Sequence, residues 1–334
     1  MRTFSLFFVA LCCCCLLLPC PQAQAAAGFR TIGLWQQANN LRLDINVWYP
    51  TSRAVTDLSY TPWVIRAAPN APVYKGQYPI IILSHATAGT RFSYHELAAW
   101  LANCGYIVAA PTHLGDNMDD MHLLYTTGQI EMRILHIQAT IAALEKDKEL
   151  APFVDSSRIG LVGFNAGGTA AMLMGGALAS ASGWKNYCEK TTFKDPYCAP
   201  SAKGKIDLMA ASIKEGASAQ DQRIKAVVAI SPLFPMFFSG KRDTSVVMLF
   251  MHTKEDARYQ QDSHDLAQIM QQVQVDDAVA QADVGALMSA CPRALAEELP
   301  ELCYSVSSDQ RATLQIRLRM RLEKFFAQYL DAAP

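Results

Sequence analysis

The residues that say most about chemistry lie in one short stretch, where a glycine-bracketed turn joins an apolar strand to a helix. Residues 159–168 read Ile-Gly-Leu-Val-Gly-Phe-Asn-Ala-Gly-Gly. The glycines around Asn165 have the spacing of a nucleophile elbow, in which the central residue is normally serine. Asparagine tolerates the positive φ of such a turn, but a carboxamide is not activated as a nucleophile in the way a hydroxyl is. The sequence therefore predicts a catalytic turn without its attacking atom.

Three histidines, His85, His113 and His252, each follow a predicted strand, on the edge where chemistry would occur. One hypothesis is a divalent metal held by them and nearby carboxylates, although no close spacing such as His-x-x-x-His supports it. Another is that His252 acts as a displaced base for a hydroxyl on the same edge, such as Ser84 or Ser231. Ordinary loop positions explain them more simply, and we predict no metal and no cofactor.

Hydrophobic patterning supplies the elements that must position these groups. Alternation predicts a half-exposed strand over 41–49, and residues 51–78 are interpreted as a long loop. A capping box at Ser93 and Glu96 predicts a helix that stops at Gly105. Further strands are predicted over 79–84, 106–110, 158–164, 224–230, 245–251 and 273–280, and further helices over 130–146, 166–179 and 309–330.

Strands that alternate with helices predict an α/β fold, with a mostly parallel central sheet and helices on both faces. In such sheets a site lies at the carboxyl ends of the strands. Residues 180–222 are polar and cysteine-bearing. They form either a small cap insertion over that edge or an ordinary surface excursion. We expect one domain over 26–334.

The first 25 residues are typical of a signal peptide: Arg2, an apolar run, and the small-x-small cleavage site at residues 23–25. A membrane anchor and a lipid-modified cysteine are the alternatives. Cleavage would export the protein to the periplasm or the extracellular space. The formal net charge of −1, with no basic run, gives no indication of nucleic-acid binding.

Five cysteines remain after position 25. An oxidising compartment favours disulfides between close neighbours. Cys188–Cys198 and Cys291–Cys303 are the economical pairs. We expect Cys104 to be left as a free, buried and inert thiol.

The chain resembles the family of platelet-activating-factor acetylhydrolases and dienelactone-hydrolase-like esterases, within the α/β-hydrolases. The resemblance runs from about residue 28 to 330. It rests on Val-Trp-Tyr-Pro at 47–50, Leu-Ser-His-Ala-Thr-Ala-Gly at 83–89, Pro-Thr-His-Leu-Gly-Asp-Asn at 111–117 and the elbow at 163–167. The order and spacing of these pieces are more specific than any one of them.

The resemblance implies an oxyanion hole formed by the backbone N–H groups of Thr87 and Ala166, with Ala86 in place of a glycine beside the first donor. It places the acid after one of two strands, and Glu255 and Asp256 are the available carboxylates. It places the base near Val284. No histidine occurs after His264.

Both the nucleophile and the base of the family's triad are therefore missing. We expect a ligand-binding or regulatory pseudo-hydrolase, whose ligand by family analogy is a small acyl ester or lipid-like molecule. The alternative is an active ester hydrolase with a non-standard site on the same sheet edge. We expect no nucleic-acid partner and no stable membrane span after signal removal, and the sequence does not indicate the oligomeric state.

Overall fold

A computed structural model describes residues 26–36, 41–185, 187–191, 195–241, 245–253, 265–270 and 273–330. The predicted signal peptide and the candidate acids Glu255 and Asp256 lie outside these residues. Within them, no helix is both long enough and apolar enough to span a bilayer.

A ten-stranded sheet forms the centre of the molecule, in the order β12-β11-β9-β7-β5-β6-β2-β1-β4-β3. The six strands from β12 to β6 are parallel, and β2 pairs antiparallel with both β6 and β1. The strands are β1 (Ala26–Gln36), β2 (Leu41–Thr51), β3 (Thr56–Tyr60), β4 (Trp63–Pro69), β5 (Tyr78–Ser84), β6 (Ile107–Pro111), β7 (Val154–Phe164), β9 (Ile224–Ile230), β11 (Val247–Met251) and β12 (Val273–Asp276), while β8 (Ala177–Ala179) and β10 (Phe238–Lys241) form a separate pair.

Helices cover both faces of the sheet, as predicted. The described residues include α1 (His95–Asn103), α2 (Thr127–Lys146), α3 (Ala166–Met174), α4 (Tyr187–Lys190), α5 (Pro200–Ser212), α6 (Arg293–Glu298), α7 (Pro300–Cys303) and α8 (Ser308–Tyr329). Successive residues of β5 point to opposite faces. Ile81 packs in the core with α1 and α8, and Ile82 packs in the core with α2 and α3. Burial on both faces explains why this strand is a continuous apolar run.

The predicted loop over 51–78 is wrong, because it contains the antiparallel pair β3–β4. Trp63, Ile65 and Ala67 are buried while Val64 and Arg66 are exposed. This alternation is the strand signal that the prediction overlooked. The pair extends the sheet at its β1 edge, because β4 pairs with β1.

Two helix boundaries also differ from prediction. The capping box at Ser93 does not form, because the Ser93 hydroxyl accepts a hydrogen bond from the Thr90 N–H and α1 begins at His95. Helix α3 ends at Met174 rather than continuing to residue 179. Gly176 has a φ of 100°, which breaks the helix before β8.

Both predicted disulfides are present, with Cα separations of 5.5 Å for Cys188–Cys198 and 5.7 Å for Cys291–Cys303. Cys104 is also disulfide-bonded. The predicted free thiol refers to the chain after removal of residues 1–25, so it stays a prediction. In its described residues the segment 180–222 contains α4, α5 and two short 3-10 turns, and its interpretation as a cap stays a prediction.

Candidate active site

The turn between β7 and α3 has the predicted elbow conformation. Asn165 has φ 47° and ψ −117°, a backbone conformation that residues other than glycine rarely adopt. A Cβ on Gly163 would lie 2.1 Å from the carbonyl oxygen of Gly167, and a Cβ on Gly167 would lie 2.2 Å from that of Ser84. Both glycines are therefore required by close backbone contacts, and the prediction of positive φ at Asn165 is confirmed.

The Asn165 side chain is bonded to the neighbouring strand end. Its Nδ2 donates to the carbonyl of Ser231, which follows β9, at 3.0 Å. The Asn165 N–H donates to Ile230 O at 2.9 Å, and its carbonyl accepts from Thr169 N at 3.1 Å. The carboxamide thus links the elbow to the loop after β9. A serine at this position would have only a hydroxyl donor, on a shorter side chain.

The two predicted oxyanion donors lie on different elements, and their role stays a prediction. Ala166 is the first residue of α3, and Thr87 lies in the loop after β5, where its hydroxyl accepts from Gln129 Nε2 at 3.2 Å. Ala86, which stands in place of a glycine, does not have a positive φ, whereas Ala88 does, with 59°. The Ala86 carbonyl is instead a bonding centre of the loop, because it accepts from Gly89 N at 2.9 Å and from His85 Nδ1 at 2.7 Å.

His85 and His113 do not lie on an accessible rim, which corrects the sequence interpretation. Together with His136 they form a buried group, here called the histidine cluster. His113 Nε2 lies 2.8 Å from Ser84 Oγ, and the His113 backbone N–H donates to His85 Nε2 at 3.0 Å. His85 Nε2 is therefore an acceptor, so His85 carries its proton on Nδ1, which donates to Ala86 O. These imidazoles support the loop after β5.

Arg133 joins the histidine cluster to the same loop. Its side chain is fully buried and donates to Asp116 Oδ2 at 2.8 Å and to the carbonyls of His85 and Ala86. Desolvation and the Arg133 charge hold the pKa of His85 and of His113 well below the ordinary value. Burial, and then Arg133, lower the pKa of His136 to about 4. All three imidazoles are accordingly neutral at pH 7.

The sequence analysis missed Arg133, His136 and their neighbours on α2, although a signal was present. Gln129, Arg133, His136 and Thr140 recur at helical spacing and are all fully buried. A polar stripe on the core-facing side of an amphipathic helix indicates a buried hydrogen-bond network, because such groups are buried only when they are paired.

His252 and Asp277 come together at the carboxyl ends of the adjacent parallel strands β11 and β12. His252 Nε2 lies 3.4 Å from Asp277 Oδ1. The histidine side chain is 2% exposed and the aspartate side chain 74% exposed. The resemblance led us to expect a carboxylate after β11 or β9 and an imidazole after the last strand. In the described residues, the imidazole directly follows β11 and the carboxylate directly follows β12.

Val284, the approximate base position, is buried and immediately precedes a 3-10 turn over Gly285–Leu287. Its role in the site stays a prediction. Ser231 Oγ lies 2.9 Å from Thr253 Oγ1 and accepts from Thr253 N at 3.1 Å. Among the residues that the structure describes, no group of three or more His, Cys, Asp or Glu side chains is arranged to hold a metal ion.

One family model matches part of the chain in sequence. The model of the dienelactone hydrolase family matches residues 65–187, which include the loop after β5 and the elbow. No curated protein matches the chain in sequence.

Several solved structures are similar in fold. A ferulic acid esterase from Streptomyces cinnamoneus has 15% sequence identity and a TM-score of 0.62, over 95% of this chain and 93% of its own. An acylaminoacyl peptidase of Pyrococcus horikoshii has 13% identity and a TM-score of 0.51, over 92% of this chain and 43% of its own. A dienelactone hydrolase from Anabaena variabilis has 12% identity and a TM-score of 0.47, over 92% of this chain and 99% of its own. The ferulic acid esterase structure, together with the mostly parallel sheet and its covering helices, confirms the predicted α/β-hydrolase fold.

Proposed function

We propose that this chain, which has the α/β-hydrolase fold and resembles the dienelactone hydrolases over residues 65–187, is an exported ligand-binding or regulatory protein without serine-dependent esterase activity. The observation that carries the proposal is the state of Asn165. This residue has the elbow conformation, but its side chain donates to Ser231 O and offers no hydroxyl. The turn is retained and the nucleophile is absent.

The base supports the same conclusion. Strand β12 is followed by Asp277 rather than by an imidazole, and the chain has no histidine after His264. Nucleophile and base act as a unit, so once one is lost the other contributes little to rate. Two losses in one chain favour a protein that has kept the fold for binding.

A small acyl ester or lipid-like molecule is the ligand class that the fold resemblance favours, by analogy. Export is supported by the two disulfides Cys188–Cys198 and Cys291–Cys303, which persist in oxidising compartments. It is tested by amino-terminal sequencing of the protein recovered from the native cell, where a start near residue 26 is expected.

Hydrolysis of 4-nitrophenyl acetate by the purified protein tests the loss of activity. We expect no turnover above a heat-denatured control, and little recovery in Asn165→Ser because no base deprotonates the new hydroxyl. Recovery is expected only when a histidine is added near Val284 as well. Asn70→Ser is the matched control, because Asn70 is an exposed asparagine that also has positive φ, 48°.

Turnover by the parent at about 1 s⁻¹ or faster, or labelling by a fluorophosphonate, would contradict the proposal. Labelling requires an activated nucleophilic side chain, and turnover at that rate requires a working catalytic site, in the unmodified protein.

A second candidate function is an active ester hydrolase with a non-standard site, and the His252–Asp277 pair specifically favours it. A carboxylate 3.4 Å from an imidazole can orient it as a general base. If the parent hydrolyses the aryl ester, His252→Gln should abolish the activity and Asp277→Asn should reduce it. His122→Gln is the control, because His122 is an exposed histidine that contacts Asp120.

A further inference from the structure

A cavity of about 270 Å³ lies beside the elbow, between α2, α3 and the 180–222 segment. Its walls are mostly apolar. They include Ile134 of α2, Leu173 of α3, Met209 of α5, and the aromatic residues Phe234, Phe237 and Phe238. The volume lies just below the range of small-molecule sites, about 300–1,000 Å³. It suits a medium-length acyl chain better than a long lipid tail.

The cavity also carries one exposed residue of each charge, Glu131 on α2 and Lys214 after α5. Opposite charges on one lining give no net attraction for an anion or a cation. They leave hydrogen-bonding partners for an uncharged polar head. This charge balance favours a neutral amphiphile over a free fatty acid.

The loop 231–234 connects this cavity to the elbow. Asn165 Nδ2 donates to Ser231 O at 3.0 Å, and Leu233 N donates to Asn165 O at 3.4 Å. Thr169 Oγ1, one turn into α3, donates to Leu233 O at 2.6 Å. The loop is therefore held at both ends by the elbow and the helix that follows it.

This loop has an unusual backbone. Ser231 and Phe234 have φ values of 44° and 57°, although neither is a glycine. Non-glycine residues in this region persist where the surroundings over-determine them, and such positions cluster at ligand sites. Here the result is the placement of the Phe234 ring, which is fully buried, 5.3 Å from the ring of Tyr197 and in the cavity wall.

We propose that this cavity binds the apolar part of a small, uncharged acyl or lipid-like ligand, and that Asn165 is the positioning residue that holds its aromatic wall. The inference rests on the proposed function, because it names where and how the ligand of the inactive hydrolase fold is held. In this proposal Asn165, which stands in place of the nucleophile, has a positioning role, because its Nδ2 anchors the loop that carries Phe234.

Binding of 1-octanol, followed by saturation-transfer NMR and titration, tests the site. Ile134→Trp fills the cavity from α2 and should weaken binding at least about tenfold. Leu135→Trp is the matched control, because Leu135 is the next residue, is 53% exposed and does not line the cavity. It should bind within about twofold of the parent. Sodium octanoate should bind more weakly than 1-octanol.

Asn165→Asp tests the positioning role. The carboxylate is similar in shape but cannot donate to Ser231 O, so we expect weaker binding at pH 8. As the pH falls and the new carboxyl takes up a proton, it becomes a donor again, and the affinity should recover relative to that of the parent at the same pH. A purely structural defect would not be reversed by acid. Circular dichroism and thermal melting establish that each variant is folded.

The outcomes separate the two proposals. Equal affinity in Ile134→Trp and the parent, or no 1-octanol binding by the folded parent, overturns the cavity inference while the aryl-ester result stands. Loss of affinity without acid recovery in Asn165→Asp overturns the positioning role. Ester turnover by a parent whose 1-octanol affinity falls in Ile134→Trp overturns the inactive-hydrolase proposal instead.

Discussion

The buried ion pair between Arg133 and Asp116 gives the sharpest prediction about stability. Arg133 is 0% exposed and Asp116 1% exposed, and Arg133 Nη2 lies 2.7 Å from Asp116 Oδ2. In Arg133→Met, the Asp116 carboxylate would keep Gln129 Nε2, at 2.9 Å, as its remaining side-chain donor in the described network. Breaking one side of a buried pair typically lowers the free energy of unfolding by about 3–5 kcal/mol. The carbonyls of His85 and Ala86 would also lose a donor.

Urea unfolding, followed by circular dichroism at pH 7.5, measures the effect. We expect Arg133→Met to lose about 3–5 kcal/mol and the double variant Arg133→Met with Asp116→Leu to recover part of it, because no buried charge is then left unpaired. Lys203→Met is the control. Lys203 pairs with Asp207 at 2.9 Å, both side chains are nearly half exposed, and the loss should be under about 1 kcal/mol.

A spectroscopic effect accompanies the loss of stability. The positive charge of Arg133 lowers the pKa of His113, although burial is the larger cause. The NMR titration of His113 should therefore move to higher pH in a folded Arg133→Met protein. The reasoning is refuted if Arg133→Met loses less than about 1 kcal/mol, or if the double variant is less stable than the single one.

Three further outcomes are expected. In the folded protein the histidine cluster is neutral, because its pKa values lie below the unfolded value of about 6.5. Its contribution to the free energy of unfolding is therefore complete above about pH 6.5 and is lost as the pH falls below that value. Unfolding measured at pH 7.5 and at pH 5 tests this, and equal stability at the two pH values would contradict it. Gly163→Ala should prevent stable folding, because the added Cβ would clash with the Gly167 carbonyl. Its control is Gly204→Ala, inside α5 with open space around it, which should stabilise the protein by about 0.5–1 kcal/mol in thermal melts. Removing the Cys188–Cys198 disulfide, which spans 10 residues, should lower the free energy of unfolding by about 2–3 kcal/mol, and a change below about 0.5 kcal/mol would show that the crosslink adds no stability.

The sequence by itself was enough to predict the elbow, the parallel sheet and both disulfides. These features are set by residues close together in the chain: the glycines around Asn165, the apolar runs of the buried strands, and cysteines 10 and 12 residues apart. Local spacing restricts the backbone directly, because only glycine allows the contact at Gly163 and few residues tolerate the φ of Asn165.

Only the tertiary structure could decide what surrounds the elbow. Arg133 contacts the loop after β5 from 48 residues away, and Asn165 bonds to Ser231 from 66 residues away. The same is true of His252 and Asp277, which meet because β11 and β12 are neighbours in the sheet. No local pattern fixes which polar groups pair across strands and helices. That choice is made when folding removes them from water and each must find a partner, because an unpaired polar group is costly in a buried site.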